Sequence, residues 1–295
     1  MAASPIAIWI QAARPKTLWA AFAPVLLGTA MAYAADAHHY PSAILALVGA
    51  SLIQVGTNFW NDYADFKKGA DTEARKGPQR ATQAGLVSPR AMLTATVLVF
   101  LLAGVVALLL ALRAGWPLVI IGILSILCGI LYTGGSLPLG YIGLGDLFVL
   151  IFFGPVAVGG TYYVQALDIN PTVLFAGLGP GLLSVAILAI NNMRDIETDR
   201  AAGKRTLAVL LGPTFARREY VFCILGAVAI PVILFYIQRA EHPYFLLAVL
   251  TLPVGRFGII QVCGSDSPDV LNPMLGKTAK LLLLYSVLFS LGWVL

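Results

Sequence analysis

The sequence predicts an all-α fold: a polytopic membrane bundle of nine transmembrane helices, forming a single integral membrane domain over residues 1–295. Three observations carry this. Hydrophobic residues make up 59% of the 295 residues and charged residues only 11%, whereas a soluble domain is about a quarter charged; the mean hydropathy of +0.86 agrees. The apolar residues fall in repeated runs near the roughly 20 residues a helix needs to cross a hydrocarbon core of about 30 Å. Those runs lack the alternation of barrel strands, and only helices and closed barrels satisfy the backbone inside a bilayer.

The runs cover approximately 18–35, 42–61, 91–112, 117–133, 143–164, 172–191, 220–238, 244–262 and 280–294. The first follows Arg14 and Lys16 and ends near Ala32-Tyr33-Ala34, a small-residue pattern like that of a signal cleavage site. Its length, and the similar runs after it, favour a retained first helix. Cys128, Cys223 and Cys263 lie in or beside apolar runs without a CxxC pair, so they predict neither a disulfide framework nor a zinc site.

The net charge of +5 would suit nucleic acid, but its distribution does not. The loops after the second and sixth runs, roughly 62–90 and 192–219, are long and charged, while those after the first, third, fifth and seventh are short and nearly uncharged. Of the 19 Lys and Arg, only Arg113 and Arg239 fall on the opposite side, and Arg256 falls within the eighth run. Basic residues gathered on one side are a membrane orientation signal, not the footprint of a nucleic-acid partner. They predict a multi-pass protein of the cell membrane with its N-terminus and charged loops in the cytoplasm. Nine crossings then place the C-terminus outside.

Two polar motifs interrupt the apolar pattern at the ends of the second and sixth runs. The first contains Asn58, Asn61, Asp62, Asp65, Lys67, Lys68 and Asp71. If the helix continues to Asp65, Asn58 and Asp62 share one face and Asn61 and Asp65 another. Gly69 ends or bends the helix, leaving Asp71 on the loop. The second contains Asn191, Asn192, Arg194, Asp195 and Asp199, in which Asn191, Asp195 and Asp199 make an i, i+4, i+8 stripe and Glu197 points elsewhere. Four carboxylates at one membrane edge need counter-charge to remain ionised. Their donors are all oxygen, with no His or Cys, which favours Mg²⁺ over zinc. Asp62 and Asp65 in one cluster, and Asp195 and Asp199 in the other, are the candidate metal ligands, clamping a diphosphate between two Mg²⁺ ions. Lys67, Lys68, Arg75, Arg194, Arg200, Lys204 and Arg205 supply further positive charge.

A third feature runs from Tyr132 to Asp146 between the fourth and fifth runs. Its glycines permit tight backbone near a ligand. No strand precedes its GxG, so it is not a dinucleotide fingerprint. Asp146 lies at or inside a membrane edge, where an ionisable residue is a functional candidate for acceptor binding or proton removal; the alternative is a carboxylate satisfied by a helix N-terminus. Arg14 and Lys16 have two readings as well, as topology determinants or as contacts to an anionic substrate.

At these residues the sequence resembles the UbiA superfamily of intramembrane prenyltransferases. That family has nine transmembrane helices and two Asp-rich cytoplasmic motifs. Its first motif, NDxxDxxxD, is matched by Asn61, Asp62 and Asp65, with the third Asp displaced to Asp71 and Gly69 in its usual place. Its second, DxxxD, is matched by Asp195 and Asp199. The segments DYADFKKGAD, NNMRDIETDRAAGKRTLAVLLG and ARPKTLWAAFAPVLLGTA resemble the branch that acts on 1,4-dihydroxy-2-naphthoate. The resemblance spans essentially the whole chain. It implies Mg²⁺-dependent transfer of a polyprenyl chain from polyprenyl diphosphate to 1,4-dihydroxy-2-naphthoate, with loss of CO₂, giving demethylmenaquinone in menaquinone biosynthesis. It also implies that aspartates of both motifs bind Mg²⁺ and the donor diphosphate.

On this reading the metal draws charge onto the leaving group. Aromatic faces such as Phe59, Trp60, Tyr63 or Tyr132 stabilise an allylic cation by about 0.5–2 kcal/mol each, and the apolar bundle excludes water from it. Rival acceptors are 4-hydroxybenzoate, homogentisate, or a chlorophyll or haem precursor. A transporter is the rival from another class, but it would place its polar groups near the bilayer midplane, not at one edge. A CDP-alcohol phosphotransferase lacks its DGxxAR opening in this sequence.

Overall fold

The computed structural model describes residues 4–70, 76–238 and 243–295. Asp71, Arg75 and Arg239 lie outside these residues. The described chain is helical: α1 (Pro5–Ala13), α2 (Trp19–Ala34), α3 (Tyr40–Lys67), α4 (Pro89–Ala114), α5 (Pro117–Thr133), α6 (Gly145–Ile151), α7 (Ala157–Ala166), α8 (Pro171–Arg194), α9 (Ile196–Ala201), α10 (Leu207–Leu211), α11 (Pro213–Gln238), α12 (Leu252–Gly264) and α13 (Pro268–Val294).

Cap-then-proline signals start the long helices. Ser88 accepts from Ala91 N–H ahead of Pro89, Asn170 from Thr172 N–H ahead of Pro171, and Ser267 from Asp269 N–H ahead of Pro268. These side chains satisfy orphan amides, and the proline needs no partner for its own nitrogen.

Among the described residues, seven helical segments are long and apolar enough to cross a membrane. The pair Pro5–Thr17 and Trp19–Ala34, bent by 51°, raises this to as many as eight, and Pro117–Thr133 is a shorter apolar helix. Nine independent spans therefore do not emerge from length and hydropathy alone. Two expected starts are also corrected. The helix expected over 220–238 begins at Pro213, and the one expected over 280–294 begins at Pro268. Both begin with polar turns, so an apolar run marks only part of each helix.

The largest core lies among α2, α8, α11 and α13, around Leu27, Leu183, Ile190, Tyr285 and Phe289. The outer surface is apolar too. Leu98, Leu101, Leu102, Leu108, Leu109 and Leu112 of α4 are all exposed, as expected where hydrocarbon is the solvent. A π-helical segment at Phe152–Val156 joins α6 to α7, with Gly154 at φ −110°, ψ −110°. A Cβ at Gly154 would sit 2.8 Å from Gly177 O of α8. Glycine is required at this crossing, which sets the α6–α7 wall against α8.

Candidate active site

The first motif occupies the last turns of α3, which stops before Gly69 at φ 66°. Its members are shared among distinct tasks. Buried Asn58 donates to Ala13 O and Thr17 Oγ1, both at 2.9 Å, tying α3 to the bend between α1 and α2. Asn61 Oδ1 accepts from Thr133 Oγ1 at the end of α5. Asp62, 1% exposed, accepts the backbone N–H groups of Ala81 and Thr82, each at 3.0 Å. Both of its oxygens thus organise the segment leading into α4.

Asp65 points to a different set of partners. It accepts the Tyr141 hydroxyl at 2.8 Å, with Arg80 Nη2 at 3.4 Å and Lys204 Nζ at 3.6 Å. The Tyr141 ring has Lys68 Nζ 4.7 Å and Lys204 Nζ 4.9 Å from its centroid. Lys68 also donates to Thr133 O at 2.6 Å, and Arg205 N–H to Tyr141 O at 2.8 Å.

In the second motif, α8 ends at Arg194 and α9 resumes at Ile196, with Asp195 at φ −98°, ψ 8° between them. The stripe expected of Asn191, Asp195 and Asp199 on one continuous helix is interrupted there. The break lets adjacent side chains bond each other, which neighbours on a regular helix do not do. Buried Arg194 grips the Asp195 carboxylate at 2.8 and 2.5 Å, Asn191 Oδ1 at 2.9 Å and Asn272 Oδ1 of α13 at 2.8 Å. Asn192 is also buried, while Lys67, Arg200 and Arg205 are exposed. Glu197 pairs with Lys76, and the Lys76 hydrogen bond holds the Glu197 carboxyl below the usual carboxylate range.

The two motifs meet at Lys204. Its ammonium lies 3.6 Å from Asp65 Oδ1 and 3.5 Å from Asp199 Oδ1. Burial raises the Asp199 carboxyl to about 6; Lys204 pulls it down and the Asp195 charge pushes it up. The counter-charge for the four carboxylates thus comes from Lys204, Arg80, Arg194 and backbone amides. Among the described residues no three acidic, His or Cys side chains converge. Asp65 and Asp199 nevertheless suit Mg²⁺, which takes one or two carboxylates and completes its octahedron with water and substrate phosphates. A single positive charge already lies between them.

Beneath this site lies an apolar cavity of about 330 Å³. Asn58, Asn61 and Tyr132 line its motif end; Leu110, Leu118 and Val164 line it near the opposite ends of their helices. Of the four aromatics expected to face a cation, only Tyr132 lines it. Phe59 packs on Trp9, Trp60 donates to Ile130 O, and Tyr63 stacks on Trp60. Phe148, Phe152 and Phe153 line the cavity instead. Asp146, in the first turn of α6, is buried with Oδ1 lacking a hydrogen-bond partner among the described residues. It adjoins Gly145, whose Cβ would lie 3.0 Å from the Tyr132 hydroxyl.

Sequence reasoning passed over Tyr141, Arg80 and Thr133. Tyr141 had a signal, a lone polar aromatic in a glycine-rich loop beside an acidic motif. Arg80 and Thr133 had none beyond residue type.

An acid-and-base cluster closing an apolar cavity between membrane-type helices defines a membrane protein built to hold an anionic head and an apolar tail. The sequence model of the UbiA prenyltransferase family matches residues 21–289, and the chain belongs to that family. It is 40% identical to the 1,4-dihydroxy-2-naphthoate octaprenyltransferase of Haemophilus influenzae, over 97% of this chain and 95% of that one. It is 37% identical to the enzyme of the same name from Mycobacterium tuberculosis, over 95% and 94%. Among solved structures, a UbiA homolog from Archaeoglobus fulgidus bound to GPP and Mg²⁺ superposes with a TM-score of 0.67, over 96% of this chain and 99% of that one. Its 14% identity makes this a likeness of fold.

Proposed function

We propose that this prenyltransferase joins a polyprenyl chain from polyprenyl diphosphate to 1,4-dihydroxy-2-naphthoate, releasing CO₂ and diphosphate and giving the hydroquinone form of demethylmenaquinone for menaquinone biosynthesis. The observation that carries the reading is the Asp65–Lys204–Asp199 bridge at the mouth of the apolar cavity. The names of the relatives support the acceptor.

Asp65 and Asp199 are the residues that would hold Mg²⁺, which would supply Lewis-acid stabilisation of the leaving diphosphate. Asp62 and Asp195 shape the surrounding backbone and guanidinium, and the lone pairs their oxygens keep leave both able to join the ligand set. Lys68, Lys204 and Arg80 balance the diphosphate charge that develops as the allylic C–O bond breaks and oxygen keeps the electron pair. Lys67 and Arg205 are outer contacts to the donor at the same edge; Arg75 and Asp71, the other candidates for the donor, lie outside the described residues. Asn61, Asn191, Asn192 and Arg194 fix the two motif ends.

The cavity holds the prenyl tail. Tyr132, Phe148 and Phe152 present faces that stabilise the allylic cation by about 0.5–2 kcal/mol each. Apolar walls keep water from capturing it. An electron-rich ring carbon of the acceptor supplies the pair for the new C–C bond, and decarboxylation returns a pair to the ring. Asp146, beside Tyr132, is the candidate to hold an acceptor hydroxyl or take its proton.

On this reading the bent pair and the shorter helix Pro117–Thr133 are taken as crossings beside the seven long spans, which makes nine. The basic residues at the motif end support a cytoplasmic site and N-terminus, with the C-terminus outside. Mass spectrometry of products from purified protein, Mg²⁺, polyprenyl diphosphate and a mixture of aromatic acids tests the reading. A single prenylated, decarboxylated naphthalene product supports it; prenylation of 4-hydroxybenzoate or homogentisate instead would overturn the acceptor.

A further inference from the structure

A second cavity, of about 190 Å³, opens among α11, α12 and α13 and shares no lining residue with the first. Its walls include Val254, Phe257, Leu281 and Leu284, and the Tyr220–Thr278 hydroxyl pair at 3.1 Å also lines it. Lys277 and Lys280 border it, both exposed and three residues apart on one face of α13. Among the described residues no acidic side chain lines the groove. Among the described residues neither ammonium has a carboxylate within ion-pair distance. Lys277 Nζ rests 4.9 Å from the Phe257 ring centroid.

Depth argues for a particular occupant. The first turns of α13 sit at the motif end, because Asn272 Oδ1 accepts from Arg194 and Asn272 Nδ2 donates to Lys76 O at 3.2 Å. At 1.5 Å per residue, Lys277 and Lys280 lie about 14 and 18 Å along the helix from Pro268. Beyond them Leu281–Leu295 carries no charged residue. The ammonium groups therefore mark a boundary between headgroups and hydrocarbon, with a cleft directly beside them. Long basic side chains reach such a boundary readily, and basic clefts between spans on the cytoplasmic side accept anionic headgroups.

We infer that this groove binds an anionic phospholipid, its phosphate between Lys277 and Lys280 and one acyl chain along Val254, Leu281 and Leu284. The occupant braces α13 a little more than one turn from Asn272, the residue that steadies Arg194 and, through it, Asp195.

The test uses the full chain in nanodiscs of phosphatidylcholine containing a minor fraction of phosphatidylglycerol, with co-purifying lipid counted by native mass spectrometry. Wild type is expected to retain phosphatidylglycerol roughly tenfold above its bulk ratio, given two lysines at the surface. Lys277→Gln with Lys280→Gln is expected to return retention to the bulk ratio, and the double Arg variant to preserve it. No enrichment by wild type, a measurement independent of any variant's folding, would overturn the inference. So would equal enrichment in the double Gln variant, or displacement of the lipid by geranyl diphosphate, which would make the groove a donor route. None of these outcomes depends on turnover, so they separate from the catalytic reading.

Discussion

Lys204 touches an acid of each motif, so the behaviour of the site at residue scale turns on it and its two neighbours. Asp65→Asn and Asp199→Asn are each expected to lower kcat by about 10²–10³, the usual cost of losing a preorganised electrostatic partner, with membrane insertion unchanged. Initial rates of diphosphate release measure this. The raised Asp199 carboxyl makes a second prediction. Its proton and a divalent cation compete for the same oxygens, so Mg²⁺ affinity should fall as pH drops through about 6. Because the Lys204 ammonium pulls that value down, Lys204→Met should move the midpoint to higher pH; displacement of bound Mn²⁺ across a pH series reads both. The acidic residues were legible in the sequence because Asp and Asn at helical spacing beside an apolar run are costly unless used. Tyr141 was not. It closes a single 3₁₀ turn, Leu139–Tyr141, too short for periodicity to signal which way a side chain turns, and its importance arises from contacts to Asp65, Lys68 and Lys204 made across long stretches of chain.

Elements decide which carboxylates are available. Asp62 was expected to bind metal as one of four carboxylates at a single membrane edge. Its helical register holds, and the segment folded over it also engages both oxygens through the amides of Ala81 and Thr82. No spacing rule reports that, because the donors are backbone groups. Asp62→Asn replaces one acceptor by a donor, and hydrogen bonds to a charged group are worth about 1.5–3 kcal/mol. Faster hydrogen exchange at Ala81 and Thr82 is expected, with α4 protected as in wild type; unchanged exchange would show that Asp62 does not hold this segment. Helix ends followed the same logic. Apolar runs located the middles of the long helices well. They missed the polar opening turns of α11 and α13 and the break at Asp195, where the carboxylate pairs with the neighbouring Arg194.

At the scale of the whole molecule, the all-α membrane architecture was legible because composition alone excludes water as the main solvent. The cavity was not, since its walls come from α2 to α7 and its size is set by packing. It faces Ala50 of α3 midway along its length. Ala50→Phe should therefore shorten the longest polyprenyl diphosphate accepted while leaving short donors nearly unaffected, as a panel of donors with graded chain length would reveal. The polar groups crowd one end of this bundle, and the apolar space extends from them toward the other.

The central claim is that one acid from each motif acts on a single leaving group at that end. Its most direct measurement is Mg²⁺-dependent turnover of polyprenyl diphosphate and 1,4-dihydroxy-2-naphthoate by wild type and by the Asp65→Asn, Asp199→Asn double variant, with prenylated product, CO₂ and diphosphate counted together. The account predicts equal amounts of all three from wild type and almost none from the double variant in a folded, correctly inserted state. Undiminished turnover by that variant would contradict it.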